Sequence, residues 1–251
     1  WSLDGPDVKG LTPDKVADGS AGGLASLLPL TRALLELTHP PRLWILTRNA
    51  IGARPDDRLD GLAHAPIWGF GRSIALEAPH ILGGLIDLPS IPDISRIADA
   101  LTTAESESEL ALRGGQVLAP RLHPKQAAIW RAVSIGPDAS YLISGGFGSL
   151  GRVFGLWLAR QGAGRLLLTS RRGPESTTAK EHVKALEDLG TIVDTATLDV
   201  SDTAALTAQV AAWAQNGPPL RGAIHAAGIG DVRNLGDQTW PDCVDVLAGK
   251  A

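Results

Sequence analysis

The stretch Tyr141 to Gly151 reads Tyr-Leu-Ile-Ser-Gly-Gly-Phe-Gly-Ser-Leu-Gly, with Gly146, Gly148 and Gly151 in G-x-G-x-x-G spacing. A turn of this composition can reverse sharply and bring backbone N–H groups against a pyrophosphate with no Cβ in the way. The candidate phosphate cradle is Gly145, Gly146, Phe147, Gly148, Ser149, Leu150 and Gly151. Such a glycine triplet alone is most often an ordinary loop, so its flanks decide its meaning. Upstream, Tyr141, Leu142 and Ile143 read as a buried parallel strand. Downstream, Val153, Leu156 and Trp157 recur at helical spacing, and Gly162 and Gly164 mark the helix end. A helix starting there directs its free N–H groups and positive dipole end at the phosphate.

Three further strand ends carry candidate chemistry. Ser170, Arg171 and Arg172 follow the next apolar run, where a dinucleotide fold meets the adenosine ribose. An acidic residue there would favour NAD, whereas two guanidinium forks suit the 2′-phosphate of NADP. The alternative for either arginine is a solvated surface charge. Asp199 and Val200 follow the third run, and an acidic side chain there can hold the adenine amino group. The competing role is a helix N-cap, which Ser201 or Asp202 could supply equally well. His225, Ala226, Ala227 and Gly228 end the fourth run; their small size would let backbone lie close to the nicotinamide ribose. No second His, Cys or carboxylate sits at ligand spacing from His225, so it reads as structural or cofactor-contacting rather than metal-binding.

The elements that would position these residues alternate. Strands are expected at Arg165 to Ser170, Thr191 to Leu198 and from Gly222 to His225, with helices at Thr178 to Leu189, Thr203 to Gln215 and Trp240 to Lys250. That alternation implies a parallel, doubly wound Rossmann-like sheet, whose ligands lie beyond the carboxyl ends of the strands. The first half alternates too. A strand end is expected at residues 1–4 and a loop at residues 4–23, followed by helices at Leu24 to Leu37, Pro66 to Glu77 and Ile94 to Leu101. Strands are expected at Arg42 to Asn49, Gly84 to Leu88 and Gln116 to Leu122, with a short helical turn at Glu107 to Leu112. This half has no glycine phosphate loop of its own. The expected organisation is a structural subdomain over residues 1–124, a connector at 125–138 and a nucleotide-binding subdomain over 139–251.

The 251 residues are 44% hydrophobic and 20% charged, with a formal net charge of −4. That suits a folded soluble protein and gives no basic excess that would indicate nucleic acid or an anionic membrane as partner. No apolar run is long enough to span a bilayer. The single cysteine, Cys243, cannot form an internal disulfide, which fits a reducing cytoplasm. The chain has no methionine, opens on Trp-Ser-Leu-Asp and stops on Gly-Lys-Ala, so it is expected to be a section of a longer polypeptide, incomplete at both ends.

At this point the sequence resembles a known family. Ser-Gly-Gly-Phe-Gly-Ser-Leu-Gly, Leu-Thr-Ser-Arg-Arg-Gly-Pro, Leu-Asp-Val-Ser-Asp, Pro-Leu-Arg-Gly-Ala-Ile-His-Ala-Ala-Gly and Asp-Gln-Thr-Trp together resemble the ketoreductase domain of modular type I polyketide synthases, a branch of the short-chain dehydrogenase/reductase superfamily. Pro66-Ile-Trp-Gly-Phe-Gly-Arg, Gly83-Gly-Leu-Ile-Asp-Leu-Pro and Arg113-Gly-Gly-Gln resemble that family's structural subdomain, a truncated Rossmann-like half without nucleotide binding. The resemblance covers nearly the whole chain. It implies NADPH as cofactor and a β-ketoacyl thioester on the phosphopantetheine of an acyl carrier protein as substrate. Neighbouring synthase domains are implied as partners, and neither nucleic acid nor membrane. In the family a tyrosine protonates the alkoxide, a serine holds the oxygen and a lysine supports the relay.

Lys250 falls where the family's catalytic lysine lies; its alternative is an exposed helix lysine beside a chain end. The serine and tyrosine are expected beyond Ala251, because Tyr141 is the single tyrosine and precedes the glycine turn. One stereochemical subtype carries Leu-Asp-Asp after the His-Ala-Ala-Gly region, and Gly230-Asp231-Val232 matches only its middle position. An alternative reading is a degenerate, non-catalytic ketoreductase kept as scaffold in a megasynthase, which the unusual Phe147 and Ser149 allow. A freestanding short-chain dehydrogenase fits poorly with so long a segment before the glycine turn.

Overall fold

The computed structural model describes residues 13–91, 94–103, 107–124, 134–230 and 233–249. They form two compact units, one built mainly from the first half of the chain and one from residues 126–230. The strand end expected at residues 1–4, Lys250 and much of the connector lie outside the described residues.

In the first unit a four-stranded sheet runs in the order β1-β2-β3-β4: Leu43–Arg48, Leu82–Leu88, Glu109–Arg113 and Gln116–Leu118. The first three strands are parallel and β4 is antiparallel to β3. Helices α1 (Pro13–Leu35), α2 (Ala65–Glu77) and α3 (Ile94–Thr103) belong to the same unit. Leu24, Leu27, Ile67, Trp68, Ile74 and Leu85 form its main core.

Three expectations fail here, the simplest being that the strand expected at Gln116 to Leu122 ends at Leu118. Residues 13–23 are helix rather than loop, despite Gly19, Gly22 and Gly23. A Cβ at Gly23 would lie 2.5 Å from Ile67 Cδ1, so at this position the glycine permits close packing of α1 on α2. The turn expected near Glu107 to Leu112 is strand β3, with Leu110, Ala111 and Leu112 buried. Gly114 and Gly115 have φ of 55° and 73°, the left-handed pair that closes a two-residue hairpin into β4.

The carboxyl end of this first sheet is filled by charge. Asp87 is fully buried; it accepts from Thr47 Oγ1 at 2.5 Å, Ala50 N at 3.0 Å and Arg113 Nη2 at 2.6 Å. Arg113 Nε donates to Asp57 Oδ2 at 2.8 Å, and Nη2 to the Ile51 carbonyl at 3.0 Å. Trp68 Nε1 donates to Thr47 Oγ1 at 2.9 Å, tying α2 to the same cluster. Among the described residues these strand ends carry an ionic knot of side chains and no glycine phosphate loop.

The second unit is a parallel sheet in the order β7-β6-β5-β8: β5 Ser140–Ser144, β6 Arg165–Ser170, β7 Ile192–Thr197 and β8 Leu220–His225. Helices α4 (Ser149–Arg160), α5 (Thr177–Glu187) and α6 (Thr203–Ala214) connect the strands. Ile143, Leu158, Leu166, Leu168 and Leu186 centre its core. The strands lie within two residues of their expected bounds, because β5 and β6 are continuous apolar runs bounded by Gly and Pro. The face of α4 that packs inward is the small one, Gly151, Gly155, Leu158 and Ala159, whereas Leu150, Val153 and Trp157 are exposed. Arg165 Nε donates to Asp194 Oδ2 at 2.6 Å, its guanidinium stacks 4.8 Å over the Trp213 ring, and Trp213 Nε1 donates to the same Asp194 oxygen at 2.8 Å. That cluster joins β6, β7 and α6.

The last helix, α7 (Trp240–Ala248), returns to the first unit, where Leu235, Trp240 and Leu247 pack on the main core. Leu235 N donates to Glu77 Oε2 at 2.8 Å. A capping box of Thr239 and Asp242 opens the helix. No helix among the described residues is long and apolar enough to cross a membrane.

Candidate functional site

The strand order of the second unit places a topological switch point between β5 and β8: the chain goes from β5 outward to β6 and β7, then back to the other side of β5. Open parallel sheets form their ligand crevice there, outside the carboxyl ends of the strands. The candidate residues of the described chain lie at those ends.

The turn after β5 is built from close backbone contacts. Gly145 has φ +67°, a left-handed conformation that favours glycine. Gly146 N donates to the Thr169 carbonyl at 3.0 Å, and Gly148 N to the Gly145 carbonyl at 2.8 Å. A Cβ on Gly151 would lie 2.2 Å from Gly145 O, so the first turn of α4 rests directly on the loop. A Cβ on Gly148 would meet only Gly145 O, at 3.2 Å, and Gly148, Ser149 and Leu150 are exposed. The turn is therefore packed on its inner side and open at Gly148.

Helix α4 begins without a side-chain cap, whereas α5 is capped by Ser176 and α6 by Asp202. The first helical bond at this end is from Arg152 N to Gly148 O. The N–H groups of Ser149, Leu150 and Gly151 precede it and have no partner in the preceding turn of helix. An open glycine turn leading into an uncapped helix start fits a phosphate group. Phe147 points its ring into the core, so its contribution to such a site is its backbone.

After β6, Gly173 N donates to Ser170 O at 3.4 Å and closes a tight turn. Arg171 and Arg172 occupy its middle and are exposed, and neither enters an ion pair among the described residues. Gly173 has φ +61°, and a Cβ there would lie 2.3 Å from Thr197 Oγ1. Ser170 Oγ is buried and has no hydrogen-bond partner, an orphaned polar atom at the strand end.

After β7, Asp199 Oδ1 accepts from Ser201 N at 3.0 Å and Ser201 Oγ at 2.8 Å. These bonds, with a contribution from the Arg171 charge, hold the carboxyl below the usual carboxylate range. The α6 N-cap is Asp202, which leaves Asp199 out of that role. Val200 beside it is half-buried.

After β8, Ala226 N donates to the Ser144 carbonyl at 3.0 Å. A Cβ on Gly145 would lie 2.6 Å from Ala226 O and 2.7 Å from Ala227 Cα, so the His225-to-Gly228 segment lies against the glycine turn. His225 Nδ1 and Ser144 Oγ are hydrogen-bonded at 2.7 Å. Ser144 and Gly173 stand inside the family motifs, yet their spacing alone gives neither a role. An overlooked residue is His182 of α5, buried against Gly155 of α4 with Nε2 unpartnered. Among the described residues no group of three or more His, Cys, Asp or Glu could hold a metal ion.

Comparison with known proteins meets this arrangement. Residues 139–251 match the KR domain family, and residues 4–122 match the Rossmann fold domain of the polyketide synthase extender module SpnB. The chain is 38% identical over 235 residues to polyketide synthase GfsA of Streptomyces halstedii, covering 91% of this chain and 3% of that protein. It is 35% identical over 223 residues to erythronolide synthase EryA3 of Saccharopolyspora erythraea, covering 87% of this chain and 7% of that protein. A solved A-type ketoreductase from a modular polyketide synthase superposes with a TM-score of 0.77 at 37% identity, over 90% of this chain and 49% of that one. The first ketoreductase of the tylosin synthase gives 0.76 at 36% identity, over 90% and 48%. The chain thus spans about half of these solved ketoreductases and a small fraction of the curated synthases. Two matched families in tandem, over a pair of Rossmann-like units, show that the chain belongs to the ketoreductase domains of modular polyketide synthases.

Proposed function

We propose that this chain supplies the NADPH-binding part of a ketoreductase that reduces a β-ketoacyl thioester, carried on an acyl carrier protein, to the β-hydroxyacyl thioester during polyketide extension. One observation carries the cofactor choice. The turn after β6 presents two exposed guanidinium groups where a carboxylate would serve NAD, beside an open glycine turn. In this reading the N–H groups of Phe147, Ser149, Leu150 and Gly151 hold the pyrophosphate. Arg171 and Arg172 take the 2′-phosphate; Asp199 and Val200 border the adenine, with Ser170 at the ribose. His225, Ala226, Ala227 and Gly228 line the nicotinamide ribose.

NADPH, when bound, would supply the hydride for the β-carbon. The chain's own contribution is to fix the dinucleotide at the switch point. Lys250 is proposed to support proton delivery, from its place in the family motif. Tyr141 does not serve as proton donor, because it is buried in β5. The polyketide synthases among the relatives, of which this chain covers a small fraction, support neighbouring synthase domains as partners; the acyl carrier protein is proposed from the family resemblance.

Isothermal titration of the full chain with each dinucleotide tests the reading. NADPH should bind about tenfold or more tightly than NADH, as one charged hydrogen-bond set implies. Equal affinities, or no binding of either, would overturn it.

A further inference from the structure

Ser144 ends β5 and His225 ends β8, and the two are aligned partners in the parallel ladder. Their side chains therefore emerge on the same face of the sheet. Ser144 is 5% exposed, whereas His225 is exposed. The 2.7 Å bond between Ser144 Oγ and His225 Nδ1 thus anchors an exposed imidazole to a buried hydroxyl. Ala227 N also points at Ser144 Oγ, at 3.5 Å, and Ala226 N is held by the Ser144 carbonyl at 3.0 Å. One serine thereby touches three successive residues of the segment after β8.

Its position gives this a consequence. The switch point lies between these two strands, so their ends form the two walls of the crevice. The arginines and Asp199 mark the β6 and β7 side as the adenosine side. A dinucleotide crossing the glycine turn must continue toward β8. The wall it meets is the segment that Ser144 holds.

We propose that Ser144 is a positioning residue for the cofactor, acting through His225 and Ala227 to fix the wall that faces the nicotinamide riboside, with no part in holding the adenosine half. The proposal rests on the cofactor reading above. It makes affinity for the two halves of the dinucleotide separable.

The test is titration of the full chain with NADPH and with adenosine 2′,5′-bisphosphate, which carries only the adenosine half. Ser144→Ala should weaken NADPH by about three- to tenfold, the size of one neutral hydrogen bond, and leave the bisphosphate within about twofold. Ser144→Thr should restore NADPH binding, because it keeps the hydroxyl. His225→Ala, a change at an exposed side chain, should reproduce the selective loss. Ser144→Ala added to it should cost much less than it does alone. Unchanged NADPH binding in Ser144→Ala and His225→Ala, equal losses for both ligands, or additive effects of the two substitutions would overturn the positioning role. A wild-type chain that binds neither ligand would instead overturn the cofactor reading itself.

Discussion

Gly151 and Gly145 are locked together: a methyl group on Gly151 would lie 2.2 Å from the Gly145 carbonyl oxygen and 2.8 Å from Gly146 Cα. Both obstacles are backbone, so no side chain can move aside. Gly151→Ala is expected to cost roughly 1–3 kcal/mol, as overpacking does, and to displace the start of α4 from the loop. Urea denaturation followed by circular dichroism measures the cost.

Gly148→Ala separates folding from binding. Gly148 has φ −73°, ordinary for alanine, and its nearest new contact would be 3.2 Å away. The variant should lose less unfolding free energy than Gly151→Ala, because its tightest new contact is 3.2 Å rather than 2.2 Å. It should nevertheless bind NADPH more weakly, because the new Cβ lies on the open side of the turn. Paired denaturation and titration experiments check both halves of that statement.

In the first unit the buried knot makes a different prediction. Arg113→Ala leaves Asp87 charged, fully buried and without its guanidinium partner. A loss of roughly 3–5 kcal/mol is expected, measured as lost amide-exchange protection in β2 and β3. NADPH binding by the second unit should be unaffected if that unit alone carries the site.

His182 gives a pH signature. Burial, aided by the Arg152 charge, lowers its proton affinity below the ordinary histidine value of 6.5. In the window between the folded value and 6.5 the unfolded chain binds more protons than the folded one. Stability of the second unit should therefore fall as pH drops from 6.5 through that window. His182→Leu should flatten the dependence in denaturation curves collected across this range. An unchanged slope would contradict the burial account.

These predictions also show where the sequence was readable. β5, the glycine turn and β6 were legible because a continuous apolar strand, a glycine cluster and a start of helix are all local patterns. The arginine turn was legible for the same reason, although the need for Gly173 appears only when Thr197 is seen 2.3 Å from its absent Cβ. The buried face of α4 was not legible. Its exposed apolar side chains mimic a core stripe, while Gly151 and Gly155 let the helix approach closely. β3 reads as helical because its apolar run is short, and its strand character is fixed by the Gly114–Gly115 hairpin that pairs it with β4. Nor could Ser144 stand out, since its partners lie 81 and 83 residues away. Such contacts exist only once β5 and β8 pair.

The most direct test of the cofactor site is a cycle of four affinities, NADPH and NADH each against wild type and Arg171→Ala. The account predicts that the substitution weakens NADPH by about tenfold and leaves NADH nearly unchanged, because the guanidinium acts on the 2′-phosphate alone. Arg172→Ala should show the same pattern or a weaker one. A wild-type preference for NADPH that survives Arg171→Ala undiminished, or an equal loss for both dinucleotides, would contradict it.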